Sequence, residues 1–274
     1  ELAVAGDLAE ASPMMRLLQG DVGSGKTIVA FIAMLLAIDN HTQATIMAPT
    51  EILAQQHFAK LVGWLAPLGV RVAWLTGSQK KKERTEMLAL IESGEAALVV
   101  GTHAVIQELV KFKNLALAII DEQHRFGVAQ RLALRDKMQD TGMEPHLLMM
   151  TATPIPRSLA LSQYGDMDVS LLDEKPPGRK PITTSLASTD RLAEVVAHLQ
   201  QAVQDGRQAY WVCPLVEESE SVSLTAAQSR FEYLRAALGG EVVGLVHGQL
   251  PAAEKDAAMA KFVSGDTRVL VATT

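Results

Sequence analysis

A chain of 274 residues that is 48% hydrophobic can bury a sizeable core and is long enough for two domains. Its formal net charge of −6 is spread evenly, with 16 basic against 20 acidic residues up to Lys175 and 9 against 11 after it, so no basic body advertises nucleic-acid binding. The single cysteine, Cys213, excludes an internal disulfide and fits a reducing compartment, and no apolar run approaches the roughly 20 residues that a membrane span needs.

In chain order, Leu2 to Leu8 read as a short amphipathic helix and Met14 to Gln19 as a strand. The next residues, Gly20-Asp21-Val22-Gly23-Ser24-Gly25-Lys26-Thr27, match the phosphate-loop spacing G-x-x-x-x-G-K-[ST] without a substitution, and a helix follows through Ala30 to Ile38. The chemistry explains the residue types. The glycines let successive backbone N–H groups turn toward one site, and the helix presents its positive N-terminal end to the same place. Lys26 then reaches the β- and γ-phosphates, and the Thr27 hydroxyl is a magnesium ligand. This stretch predicts binding of a nucleoside triphosphate.

The pattern of strand and helix continues. Ala44 to Pro49 reads as a buried strand, and Thr50 caps a helix from Glu51 to Leu65. A strand from Val70 to Leu75, a helix from Lys80 to Ile91, a strand from Ala97 to Val100 and a short helix after Gly101 follow. The cluster Lys80, Lys81, Lys82 and Arg84 reads as a solvated helix face. Leu115 to Ile120 is a continuous apolar run ending in Asp121-Glu122, and the strand His146 to Met150 ends in Thr151-Ala152-Thr153. Apolar runs without period-two alternation argue for a mainly parallel α/β sheet covered on both faces.

The segment Asp173 to Pro181 has three prolines and a glycine, a composition that neither a helix nor a central strand tolerates. It divides the chain into expected domains at 1–175 and 176–274. Beyond it, Ile182 to Leu186 reads as a strand, Asp190 to Val203 as a helix and Ala209 to Val216 as a strand. A polar loop from Glu217 to Ser223 leads to a helix from Thr225 to Leu238. A strand from Val242 to Val246, a helix from Pro251 to Phe262 and a terminal strand from Val269 complete the pattern. Residue 1 is Glu and the last strand has nothing after it, so the chain reads as a piece of a longer protein.

A magnesium-dependent phosphate site needs an acidic element at the end of a neighbouring strand. Asp121-Glu122 fits, with Asp121 to hold magnesium through water and Glu122 to orient and deprotonate the attacking water. Asp121-Glu122-Gln123-His124 and Thr151-Ala152-Thr153 resemble motifs II and III of superfamily 2 helicases and translocases. Ala48-Pro49-Thr50-Glu51 and Gly101-Thr102-His103 resemble the DNA-contacting motifs of the first lobe, and Val246-His247-Gly248 and Val269 to Thr274 those of the second. The strings MMRLLQGDVGSGKT, APTEILAQQH, DEQHRFGVAQR, TATPIPRSLAL and PPGRKPITT resemble the RecG family of bacterial ATP-dependent DNA helicases along essentially the whole chain.

That resemblance implies two tandem RecA-like P-loop domains, the second incomplete at its C-terminus. It implies a monomeric cytoplasmic motor at the bacterial nucleoid, which uses ATP and Mg2+ to remodel forks and Holliday junctions in recombination and repair. Gly20, Asp21, Val22, Gly23, Ser24, Gly25, Lys26 and Thr27 would hold the triphosphate, Thr27 and Asp121 the magnesium, and Glu122 would activate water. Gln123, His124, Thr151 and Thr153 would couple the nucleotide state to movement. Pro49, Thr50, Thr102, His103, His247 and Thr273 would touch the phosphodiester backbone of branched or duplex DNA. Contacts to backbone alone suit a motor indifferent to sequence and reconcile DNA binding with an acidic chain.

Read without the resemblance, Thr151 and Thr153 serve equally as turn caps, and His103 and His247 as ordinary helix-start and strand-end residues. By the same resemblance, the residues that read adenine would precede Glu1, and a transition-state arginine would follow Thr274, so weak ATP binding and poor hydrolysis by this piece alone are expected. A transcription-repair coupling factor type of duplex translocase, acting on RNA polymerase, is the alternative. A GTPase or small-molecule kinase is a third reading, which the tandem second α/β pattern disfavours.

Overall fold

The structure is a computed structural model that describes residues 2–10, 12–122, 145–153, 167–174, 178, 182–213 and 220–273. It divides into two compact units, Glu1–Lys180 and Pro181–Thr274. The division falls inside the proline-rich segment Asp173 to Pro181.

Seven strands build the sheet of the first unit: β1 (Met15–Gly20), β2 (Gln43–Met47), β3 (Arg71–Leu75), β4 (Ala96–Gly101), β5 (Leu115–Ile120), β6 (His146–Thr151) and β7 (Asp168–Leu172). Their order is β3-β4-β2-β5-β6-β1-β7, and every neighbouring pair is parallel. Helices α1 (Leu2–Leu8), α2 (Lys26–Asp39), α3 (Glu51–Leu65) and α4 (Lys81–Ser93) connect and cover it.

The apolar runs exist because both faces are buried. Ile46, Val100, Leu117 and Ile119 pack with Ala30 and Met34 of α2 and Leu61 of α3 on one face. Their sequence neighbours Met47, Val99, Ala118 and Ile120 pack with Ile91 of α4 and Val105 on the other. Each such large side chain contributes about 1.5–3 kcal/mol by leaving water. In α3 the buried positions are Ala54, His57, Leu61 and Leu65, a stripe at helical spacing that includes one polar residue.

The edge strand β7 has no counterpart in the sequence reading. Among the described residues it is paired on one side only, by β1, and Val169 and Leu171 are exposed, so it lacks the continuous apolar run that marks a buried strand. Arg16 of β1 fastens it by donating to Ser170 Oγ at 2.8 Å, and the same guanidinium pairs with Asp7 of α1.

The second unit contains β8 (Ala209–Cys213), β9 (Val243–Val246) and β10 (Val269–Thr273) in the parallel order β8-β10-β9, with α5 (Leu192–Gln204), α6 (Glu220–Leu238) and α7 (Ala252–Ser264). Its core gathers Val196, Cys213, Ala227, Leu234, Val243, Val269 and Val271. Burial pushes the Cys213 thiol up from its ordinary value, against a smaller downward effect of Arg230.

Two expectations fail here. Ile182 to Leu186 is not a strand: it carries no regular structure, and Leu186 is 100% exposed. Its apolar spacing imitates a strand, but no described strand pairs with it. Helix α6 begins at Glu220 and not at Thr225, so part of the expected polar loop is helical, while 217–219 lie outside the described residues. No helix among the described residues is long and apolar enough to cross a membrane.

Candidate nucleotide site

The phosphate loop leaves the C-terminal end of β1 and turns directly into α2. Gly25 is the N-cap of that helix with a left-handed φ of 98°, and no side chain caps it, so the helix end faces the loop. At Gly20 the constraint is close approach. A Cβ there would lie 2.5 Å from Ser24 Oγ and 2.9 Å from Leu172 Cβ, so the loop folds back against its own strand and β7 only because the side chain is absent. Ser24 Oγ is enclosed without a hydrogen-bond partner among the described residues.

Lys26 Nζ donates to the carbonyl of Gly20 at 2.7 Å and to that of Asp21 at 2.9 Å. Burial lowers its pKa, while Asp121, Glu122 and Asp21 push it back up. The ammonium therefore lies within the field of the acidic pair. Sheet order explains the meeting: β6 alone separates β5 from β1, so Asp121, Thr151 and Gly20 all emerge at the same edge. Ligands of parallel α/β sheets bind at these carboxyl ends.

Asp121 is held on three sides. Its N–H donates to the Met47 carbonyl at 2.9 Å, its Oδ1 accepts the Glu122 N–H at 2.9 Å, and its Oδ2 lies 2.7 Å from His57 Nε2. Both side chains of the last pair are buried, at 8% exposure for His57 and 9% for Asp121. Glu122 sits at a φ of 48°, a left-handed conformation that costs a residue with a side chain roughly 1–3 kcal/mol. Strain of that kind at the end of a buried strand turns the Glu122 backbone out of the sheet direction.

His57 is the residue that motif reading missed. The signal was present, because His57 interrupts the apolar stripe Ala54, Leu61 and Leu65 of α3, but nothing in the sequence says which buried group it meets.

Thr151 closes β6 and is fully buried, and its Oγ1 accepts the Thr153 N–H at 3.2 Å. It caps the turn after the strand, as one of the two open readings had it. Gln123 and His124 lie outside the described residues.

The candidate DNA contacts of the first unit cluster at the ends of adjacent strands β2 and β4. The Ala48 N–H donates to the Gly101 carbonyl at 3.0 Å, which draws Pro49 and Thr50 beside Thr102 and His103. Thr50 Oγ1 accepts the Leu53 N–H at 3.3 Å as the N-cap of α3. Thr102 is only 3% exposed and its Oγ1 has no partner among the described residues, so its side chain does not face solvent. His103 is exposed and opens a short 3-10 turn, His103–Ile106. In the second unit, His247 and Thr273 stand at the paired ends of β9 and β10, where Val246 is opposite Ala272.

Residues 7–161 match the DEAD/DEAH box helicase family, and residues 190–274 match the helicase conserved C-terminal domain. The chain is 54% identical over 269 residues to the ATP-dependent DNA helicase RecG of Escherichia coli K12, and 48% identical to that of Synechocystis. These matches cover 98% of the chain but 39% and 32% of the relatives, so the chain spans a third to two-fifths of their length. A structure of RecG bound to a three-way DNA junction superposes over 100% of the chain and 35% of that protein, with a TM-score of 0.74 and 41% identity. The helicase MrfA bound to DNA, 18% identical with a TM-score of 0.72 over 99% of this chain and 41% of its own, shares the fold. With a phosphate loop and an acidic box meeting at one sheet edge, and a family match over more than half its length, the chain belongs to the DEAD/DEAH box helicases.

Proposed function

We propose that this chain is the nucleotide-driven motor segment of a RecG-type ATP-dependent DNA helicase, and that the whole protein remodels branched DNA. The observation that carries the reading is the strand order, which brings the phosphate loop at the end of β1 and Asp121-Glu122 at the end of β5 to the same carboxyl edge of the sheet. RecG relatives matching along 98% of the chain favour branched DNA over the displacement of RNA polymerase.

The donor set suits Mg2+. The Thr27 hydroxyl and the Asp121 carboxylate are hard oxygen ligands, and the orphaned Ser24 Oγ marks a polar cradle beside them. When bound, the ion neutralises charge on the β- and γ-phosphates. Lys26 exchanges the Gly20 and Asp21 carbonyls for phosphate oxygens, and the loop from Gly20 to Thr27 holds the triphosphate on the helix end. Glu122 orients a water and accepts its proton. Gln123, His124, Thr151 and Thr153 transmit the nucleotide state. Pro49, Thr50, Thr102, His103, His247 and Thr273 contact phosphodiester backbone, Thr102 through its main chain because its hydroxyl is enclosed. The domain boundary lies within the proline-rich segment, between the expected 175/176 and the Lys180/Pro181 division of the compact units, and the motor works as a monomer in the cytoplasm, at the nucleoid.

Steady-state ATP hydrolysis tests the reading, measured for a full-length RecG-type protein carrying this segment with no DNA, linear duplex and a model fork. The fork is expected to stimulate most. Equal stimulation by duplex of any shape, together with polymerase displacement, would replace the proposal with the coupling-factor alternative.

A further inference from the structure

We propose that His57 is a positioning residue for the nucleotide site, orienting Asp121 as a magnesium ligand from helix α3. The inference rests on the reading of Asp121 given above and adds a residue to it.

A carboxylate only accepts, so the 2.7 Å contact has His57 Nε2–H donating to Asp121 Oδ2. Oδ1 is occupied on one side by the Glu122 N–H at 2.9 Å. Two donors from different directions therefore fix the plane of the carboxylate, and each oxygen keeps a further lone pair for the ion or its water. The backbone alone does not do this. The Asp121 N–H is tied to Met47, which sets where the residue sits but leaves rotation about its side-chain bonds free. His57 removes that freedom, and its own placement is firm because α3 is packed by Leu61 and Leu65 beneath the sheet.

Burial sharpens the role. A polar ring 8% exposed on an apolar stripe is costly unless its donor is satisfied, and the partner it has is the one carboxylate that the motif chemistry assigns to metal. A purely structural stripe would be served better by Leu at this position. The bond also connects Asp121 to a helix whose first residue follows the Thr50 cap, two turns away.

The test is nucleotide binding by this chain, read from the fluorescence of a labelled ATP analogue across a Mg2+ titration, with a chelator arm for metal-free binding. His57→Ala is expected to raise the Mg2+ concentration for half-saturation by roughly 10- to 100-fold, the usual cost of losing such a partner, while metal-free binding stays within about twofold. His57→Gln keeps an N–H donor and should recover most of the loss, whereas His57→Phe fills the space without a donor and should not. In an Asp121→Ala background, His57→Ala should add nothing. If Asp121→Ala leaves the Mg2+ requirement unchanged, the metal reading itself falls. If Asp121→Ala shifts it and the His57 variants do not, only the positioning role falls. Should His57→Ala fail to fold, the Gln and Phe pair decides.

Discussion

The Lys26 ammonium donates to the Gly20 carbonyl at 2.7 Å, so the basic residue near the end of the phosphate loop closes over the loop's first residue. The bond holds the loop in a turn with its N–H groups gathered, and it is one that phosphate oxygens can replace. Lys26→Ala is therefore expected to weaken nucleotide binding by tenfold or more, since a hydrogen bond to a charged group is worth about 1.5–3 kcal/mol. Thermal stability should move by less than about 1 kcal/mol, because the bonds it loses are partly solvated. Calorimetric titration with ATP checks the first outcome and thermal unfolding the second. Undiminished binding would sink the assignment.

Glu122 separates stability from turnover. Glu122→Gln should bind nucleotide as the parent does and abolish hydrolysis, because the amide cannot accept the proton of water. Glu122→Gly should abolish hydrolysis too, yet gain up to about 1 kcal/mol of stability as the φ of 48° ceases to be strained, less the entropy cost of glycine. Denaturant unfolding of the two variants side by side decides this. A glycine variant less stable than the glutamine one would mean the backbone there is not strained.

Gly20→Ala tests the close approach behind the loop. Its new Cβ would meet Ser24 Oγ at 2.5 Å and the Leu172 backbone carbonyl at 3.2 Å. The loop or β7 must shift, at a cost of about 1–3 kcal/mol, and nucleotide affinity should fall with it. A variant with parental stability and binding would show that the loop relaxes without consequence.

His146 makes the first unit sensitive to acid. Its Nδ1 accepts the Met14 N–H at 2.9 Å, which only the neutral ring can do, and burial lowers its pKa against a smaller opposing effect of Asp7. A base that binds its proton less readily when folded than when unfolded favours unfolding as pH falls. The stability linked to His146 is thus complete above the unfolded value near 6.5 and is lost as pH drops from there toward the lower folded value. Urea midpoints between pH 7.5 and 5 should fall, and His146→Gln, whose amide oxygen can accept the same N–H, should flatten that dependence. An unchanged slope would assign the acid sensitivity elsewhere.

Gln43 is expected to be the least replaceable polar residue of the first unit. Its Nε2 donates to the carbonyls of Ile91 and Ala96 at 2.9 and 2.8 Å, and its Oε1 accepts the N–H groups of Lys113 and Asn114. One buried amide joins the start of β2 to the end of α4, to β4 and to the approach to β5. Gln43→Leu removes all four bonds: the Lys113 and Asn114 N–H groups lose their acceptor at about 1–3 kcal/mol each, while the Ile91 carbonyl keeps the Gly94 N–H, so the variant should lower the stability of the unit by more than about 2 kcal/mol. Circular dichroism of the variant would reveal it.

What the chain determined by itself was whatever rests on local spacing. The phosphate loop is eight consecutive residues, the acidic pair ends a run of six apolar ones, and the alternation of strands and helices follows from short-range periodicity. Burial on both faces made the central strands β2, β4 and β5 readable, and it was the lack of such burial that hid β7 at the sheet edge. The same rule in reverse misread Ile182 to Leu186, where apolar spacing occurs without a partner strand among the described residues. Tertiary structure alone decided the order of strands, because registers of parallel neighbours are set by packing between segments far apart in sequence. That order brings Asp121 and Lys26 together across β6, and draws the ends of β2 and β4 side by side. It also decided that Thr102 is enclosed and that His57 meets Asp121, 64 positions along the chain. A buried polar residue announces itself in a helical stripe, but its partner is named only by the fold.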